Sequence, residues 1–177
     1  MASGKPVEQV RTDLVAKIGE NIQIRRVARW GVEAGKFGQV RAYIHANDKI
    51  GVLIEVQAGT AEAGKSADVA AFGDDLTLQI AGMKAEYVQR SEIPSELIEK
   101  QKEIFRAQLE GDEKPKPRAQ WDKIIEGKLT KWASEVCLLG QESIVTAGKT
   151  IDELRIELGK KLGTSIEVTR MIRWERG

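Results

Sequence analysis

The chain has 177 residues, 41% of them hydrophobic, with 28 lysines and arginines against 27 acidic residues and a net charge of +1. That is enough apolar content for one sizeable core or two small lobes, but the balanced charge supplies no chain-wide field for holding nucleic acid. No run of about 18 apolar residues could span a bilayer, and the N-terminus lacks an apolar stretch after a basic start, so a soluble, non-exported protein is expected.

Cys137 and His45 are the only cysteine and the only histidine. An intramolecular disulfide, a thiolate metal cage and a histidine-pair zinc site are thereby excluded. Ser-His or Cys-His catalysis would rest on one histidine beside an apparent turn, so neither an enzyme nor a cofactor is expected. Cys137, between Val136 and Leu138, reads as a buried small hydrophobe.

An internal repeat organises the two ends of the chain. The segment VEQVRTDLVAKIGENIQIRRVARW from Val7 matches IDELRIELGKKLGTSIEVTRMIRW from Ile151 at a constant offset of 144. Lys17, Gly19, Ile22, Arg26, Arg29 and Trp30 recur as Lys161, Gly163, Ile166, Arg170, Arg173 and Trp174, and Arg11 and Leu14 as Arg155 and Leu158. In each copy apolar residues at helical spacing come first and a glycine ends the helix. A strand with one apolar and one arginine-rich face follows, so strands are expected over 21–30 and from Ile166 onward.

Between the copies, QVRAYIHANDKIGVLIEV predicts a β-hairpin turning at Asn47-Asp48. A helix from about Ala67 to Met83 follows, with Ala70, Ala71, Leu76, Leu78, Ile80 and Ala81 as its apolar side and Gly73 weakening its middle. Residues 91–136 hold two charged amphipathic segments, with Leu97, Ile98, Ile104, Phe105 and Leu109 in the first and Trp121, Ile124, Ile125, Leu129 and Trp132 in the second. GDEKPKP separates them, which predicts two antiparallel helices joined at a polar tip and projecting as an arm. The fold class is α+β: antiparallel three-stranded sheet packed with helices, plus that helical hairpin. The expected divisions are 1–30, a helix-strand remnant of a first subdomain; 31–90, a second subdomain; 91–136, the arm; and 137–177, the segment completing the second subdomain.

The motifs KIGENIQIRRVARW, YIHANDKIGVLIEV, EIPSELIEKQKEIFRAQLEG, IIEGKLTKWASEVCLLGQ and IEVTRMIRWE, in this order, resemble successive signatures of the elongation factor Ts family. The resemblance runs from about Val15 to the C-terminus, and IGENIQIRR is its most specific element. It implies binding to elongation factor Tu, distortion of that GTPase's Mg²⁺ and phosphate site, and faster release of GDP, in a bacterial cytoplasm or an organelle derived from one. It also implies that Ile18, Gly19, His45 and Val145 touch or support the GTPase. Taken as bare residues, these four read as a core residue, a helix cap, a solvated turn residue and packing.

Two features of the family pattern are not in this sequence: a leading helical domain with a TGAGMMDCK-like stretch, and a Thr-Asp-Phe motif that reaches the GTPase magnesium site. Partner binding is therefore expected more firmly than full exchange activity. Strand 21–30 would lack the hairpin that normally pairs with it, and a second copy of the chain, a fragment supplied from elsewhere or the other sheet could cover it. A homodimer or a non-catalytic docking module is the corresponding alternative. No direct contact with nucleic acid or membrane is expected.

A competing motif is GTAEAGKS, residues 59–66, which fits the phosphate-binding pattern G-x-x-x-x-G-K-[ST] after a strand and before a helix. In that role Gly59 and Gly64 would shape the cradle, Lys65 would reach the terminal phosphates and Ser66 would hold Mg²⁺. Against it, the preceding strand is the second arm of an antiparallel hairpin, Glu62 places a negative charge in the cradle, and Ser66 has an alternative use as helix N-cap.

Overall fold

The computed structural model describes residues 4–45, 48–112 and 117–176. It divides the chain into two compact units, Met1–Trp30 and Gly31–Gly177.

The first unit holds one helix, α1 (Val7–Ile18), which Gly19 closes in the left-handed conformation at φ 79°. Arg11 reaches from the helix to the carbonyl oxygen of Ile22 at 3.1 Å. The strand expected over 21–30 is not formed: Gly19 to Lys36 have no regular secondary structure. A strand exists only by pairing, and among the described residues of this unit there is no second strand to pair with. Its apolar residues stay in water accordingly, with Ile24 51% and Val27 82% exposed.

The second unit is α+β. Strands β1 (Phe37–His45) and β2 (Ile50–Ala58) form the antiparallel hairpin, and β3 (Ile166–Glu175) adds to the other edge of β2 in the order β1-β2-β3. Of the expected turn, Asp48 is in the left-handed region and Asn47 lies outside the described residues. Opposite Glu55, β3 carries one extra residue, Thr169, which bulges the strand and lets Arg170 meet Glu55. That pair is tight: Arg170 donates twice to the Glu55 carboxylate, at 2.6 and 2.8 Å, and Gln57 donates to its other oxygen at 2.6 Å.

Alternate residues of β2, Val52, Ile54, Val56 and Ala58, form the core with one face of helix α3 (Ala67–Met83), which follows the one-turn helix α2 (Ala61–Gly64). Val69, Phe72, Leu76 and Ile80 supply that helical face, and Ile151, Ile166, Val168 and Leu138 close the core. Gly73 earns its place by sterics, because a Cβ there would stand 2.6 Å from Cγ of Arg41, whose guanidinium crosses the helix to pair with Asp74 at 2.6 and 2.7 Å. Of the expected apolar side of α3, Leu76, Ile80 and Ala81 are buried, but Leu78 is 38% exposed and Gln79 takes a buried place at 1%.

Helices α4 (Ser95–Glu110) and α5 (Trp121–Val136) lie side by side and bury Leu109, Ile125 and Leu129 between them, with Phe105, Trp121 and Trp132 partly covered. Lys128 binds Gln108 at 3.0 Å and sits over the Phe105 ring. Ile104, one residue off that seam, is 49% exposed. Glu113 to Lys116 of the expected GDEKPKP break lie outside the described residues. After α5 the chain returns beside Tyr87 and Val88 through backbone bonds from Leu138 and Leu139, and helix α6 (Ile151–Leu162) leads into β3.

Candidate partner-binding surface

His45 ends β1, where its neighbours are set by strand register. Tyr43 is opposite Val52, which is opposite Arg173, and His45 is opposite Ile50, which is opposite Glu175. The Tyr43 hydroxyl lies 3.0 Å from Nδ1 of His45, so one ring nitrogen is engaged inside the protein while the residue stays exposed. A small cleft beside this row is lined by Lys84, Ala85 and Glu86 just after α3 together with Met171 and Arg173. The C-terminal end of α3 therefore lies at the sheet end that carries Tyr43 and His45.

Val145 belongs to the turn between α5 and α6, and that turn is built against the same end of α3. Glu142 and Thr150 close it with an antiparallel bridge, and Ser143 donates its amide to the Lys149 carbonyl at 2.8 Å. Inside it the Ser143 hydroxyl accepts from the amides of Thr146 at 2.9 Å and Val145 at 3.2 Å. The buried amides of Gln79 and Gln141 anchor the turn from below, and Ile144 and Val145 stand out at 51% and 52% exposure. The structure thus brings His45 and Val145 to one end of one unit. Ile18, 55% exposed, and Gly19, in its helix-capping conformation, belong to the other unit.

The GTAEAGKS segment is built for packing and capping. Thr60 caps α2 by accepting from the Ala63 amide, and Ser66 caps α3 by accepting from the Val69 amide at 3.2 Å. The amides of Gly59, Gly64, Lys65 and Ser66 donate to the carbonyls of Ser165, Thr60, Glu62 and Ala63, so they are spent within the fold and do not converge on a phosphate. Gly64 is small for a steric reason: a Cβ would meet the Gly38 nitrogen at 2.7 Å and the Phe37 carbonyl carbon at 2.9 Å. Lys65 is an exposed residue at the end of α2.

Cys137 is 3% exposed, and burial, with Glu92 nearby, pushes its thiol above the ordinary value. A cleft of 740 Å³ touches it, but the two arginines on its wall are committed, Arg90 to Glu126 at 3.0 Å and Arg155 to Asp152 at 2.7 Å. Sequence reasoning missed Tyr43 and Ile144 as parts of the surface and Gln79 as the buried anchor beneath it. Only the CLLGQ motif held a signal, through Gln141, and nothing in it disclosed that two glutamines meet across 62 residues of chain.

A family model described as elongation factor TS matches residues 1–177. An elongation factor Ts of Symbiobacterium thermophilum is 42% identical over 165 residues, covering 93% of this chain and 53% of that protein. One from Clostridium perfringens is 39% identical over 173 residues, 98% of this chain and 54% of that protein. One from Acetivibrio thermocellus is 37% identical over 180 residues, which is 100% of this chain and 82% of that protein. The chain thus spans about half the length of the first two relatives and about four fifths of the third. Among the described residues no helix is long and apolar enough to cross a membrane.

Proposed function

This chain belongs to the elongation factor Ts family, and from that premise we propose that it binds elongation factor Tu and promotes release of GDP. The observation that carries the reading is the match along the whole chain, together with an exposed, internally bonded turn at Val145 on the same sheet end as His45. The contact set is Ile18, Gly19, His45 and Val145. The working compartment is the cytoplasm, and neither nucleic acid nor membrane takes part.

The mechanism needs no covalent chemistry. An exchange factor that binds the nucleotide-free GTPase better than the GDP-bound form weakens GDP binding by the same factor, because the two equilibria are linked. A weakening of GDP affinity by about 100-fold corresponds to about 2.7 kcal/mol of preference for the nucleotide-free form.

The test is the release of a fluorescent GDP analogue from purified elongation factor Tu with and without the chain. Faster release supports exchange, and no binding at all overturns the reading. Stable binding without acceleration supports a second reading, a docking or dimerisation core.

A further inference from the structure

The two edges of the sheet in the second unit are built differently. At one edge, β3 bulges at Thr169 and carries four charged side chains, Glu167, Arg170, Arg173 and Glu175, and the carbonyl of Ile166 is already bonded to Arg155. Bulges and charges of this kind keep a strand edge from pairing with another chain. At the other edge, β1 has no such protection. Its nine residues run opposite β2 without a register shift, and they include no proline and a single charged side chain, Arg41.

That one charge is drawn away from the edge. Arg41 lies across Gly73 and is bound through two nitrogens by Asp74, at 2.6 and 2.7 Å, on the helix side of the sheet. On the opposite side Val40 is half-buried, Ala42 is exposed and Ile44 is 60% exposed. Among the described residues the sheet has three strands, and no backbone hydrogen bond from outside the β1–β2 ladder reaches residues 37–44. A row of amides and carbonyls left open along nine residues is a template for another strand.

β1 is also complementary to itself. Two antiparallel copies related by a two-fold axis normal to the sheet bring residues of the same face opposite each other. With the axis at Ala42, Val40 meets Ile44 of the second copy, Arg41 meets Tyr43 and Gln39 meets His45. An exposed apolar pair is then covered on one face, and a cation lies beside an aromatic ring on the other. With the axis at Arg41 two guanidiniums would face each other, so the first register is favoured. The helix leaves room for the second copy, because Gly73 and its neighbours on the β1 side of α3, Ala70, Asp74 and Thr77, are all small.

We propose that β1 is a self-association edge, through which two copies of this chain join their three-stranded sheets into one of six strands by antiparallel pairing centred on Ala42. The occupant is a second copy because one register satisfies both open edges at once, covers Ile44 with Val40 twice over and sets no like charges directly opposite. The surface goes beyond the exchange reading and does not depend on it.

The test is light scattering on the full chain from micromolar to millimolar concentration, with amide exchange recorded alongside. A concentration-dependent dimer with slowed exchange in β1 is expected. Ala42→Lys sets two like charges on the axis and should weaken the dimer about tenfold, as should Ala42→Glu, with exchange protection in β2 unchanged because Ala42 is exposed. Mixed in equal amounts, Ala42→Lys and Ala42→Glu should associate to within about threefold of the wild type, because only a residue on the axis meets its own counterpart. Should Ala42→Lys lower protection in β2, Ile44→Lys, away from the axis, carries the test with the same expected loss of about tenfold. A wild type that stays monomeric throughout overturns the proposal. So does a dimer that these lysine substitutions leave intact, or a mixture that fails to associate although both variants keep their fold. No elongation factor Tu is present, so failure here leaves the exchange reading standing, and failure of exchange leaves this edge standing.

Discussion

Arg155 ties helix α6 to the strand that follows it by donating from Nη1 to the carbonyl oxygen of Ile166 at 2.8 Å. The same bond occurs 144 residues earlier, from Arg11 to Ile22 at 3.1 Å, and each arginine also pairs with the acidic residue three positions before it, Asp152 or Glu8. Gly19 and Gly163 end the two helices in the same left-handed conformation, at φ 79° and 64°. The sequence repeat is therefore a repeated hydrogen-bonded unit, even though only its second copy pairs into a sheet.

Arg155→Met removes a half-buried bond to a carbonyl at the start of β3, which then faces the core junction without a partner. A loss of about 1–2 kcal/mol of unfolding free energy is expected in urea titrations. Arg11→Met should leave that transition within about 0.5 kcal/mol, because α1 buries no side chain.

Gly64 and Lys65 separate packing from phosphate binding. Gly64→Ala forces a Cβ into the β1 backbone and is expected to cost more than about 2 kcal/mol. Lys65→Ala should change stability by less than about 0.5 kcal/mol, and titration with GTP or ATP should give no binding to either the wild type or this variant.

Tyr43 is expected to act through His45. Tyr43→Phe keeps the ring and removes the bond to Nδ1, so affinity for elongation factor Tu should fall about threefold while the thermal midpoint stays put. His45→Ala should lose about tenfold, and Tyr43→Phe should cost nothing further in its presence, as calorimetry on the four proteins would read directly.

Glu153 gives the first turn of α6 an acid sensitivity. The Thr150 amide donates to its carboxylate at 2.7 Å and the Thr150 hydroxyl at 3.0 Å, which hold its pKa below the ordinary 4.5. A depressed carboxylate stabilises the fold above its ordinary value, and that contribution is lost as pH falls through the lowered one. Amide exchange at Glu153 and Leu154 should therefore speed up on acidification below 4.5, relative to β2, and Glu153→Gln should remove the pH dependence.

Local features were legible wherever one short stretch of chain contains both partners. The hairpin could be read from alternating apolar residues around a turn, α3 from a capping serine before an apolar run, and the repeat from identities at one offset. The places of Leu78 and Gln79 on α3 were not legible, because both are acceptable on a helix and Gln79 is drawn inward by Gln141 and Glu142 more than 60 residues away. Likewise Gly73 reads as a weak point in a helix until Arg41 is seen lying across it.

The sequence by itself determined which segments could become helices and strands, which residues recur, and which family the motifs point to, since these follow from local sterics, capping and periodicity. Only the tertiary structure decided that residues 166–175 become a strand while their near copy at 22–30 does not, and that the turn carrying Ile144 is bonded to α3 by buried side-chain amides. Pairing and burial are relations between distant parts of the chain, and a strand or an anchored turn has no stability until its partner is in place.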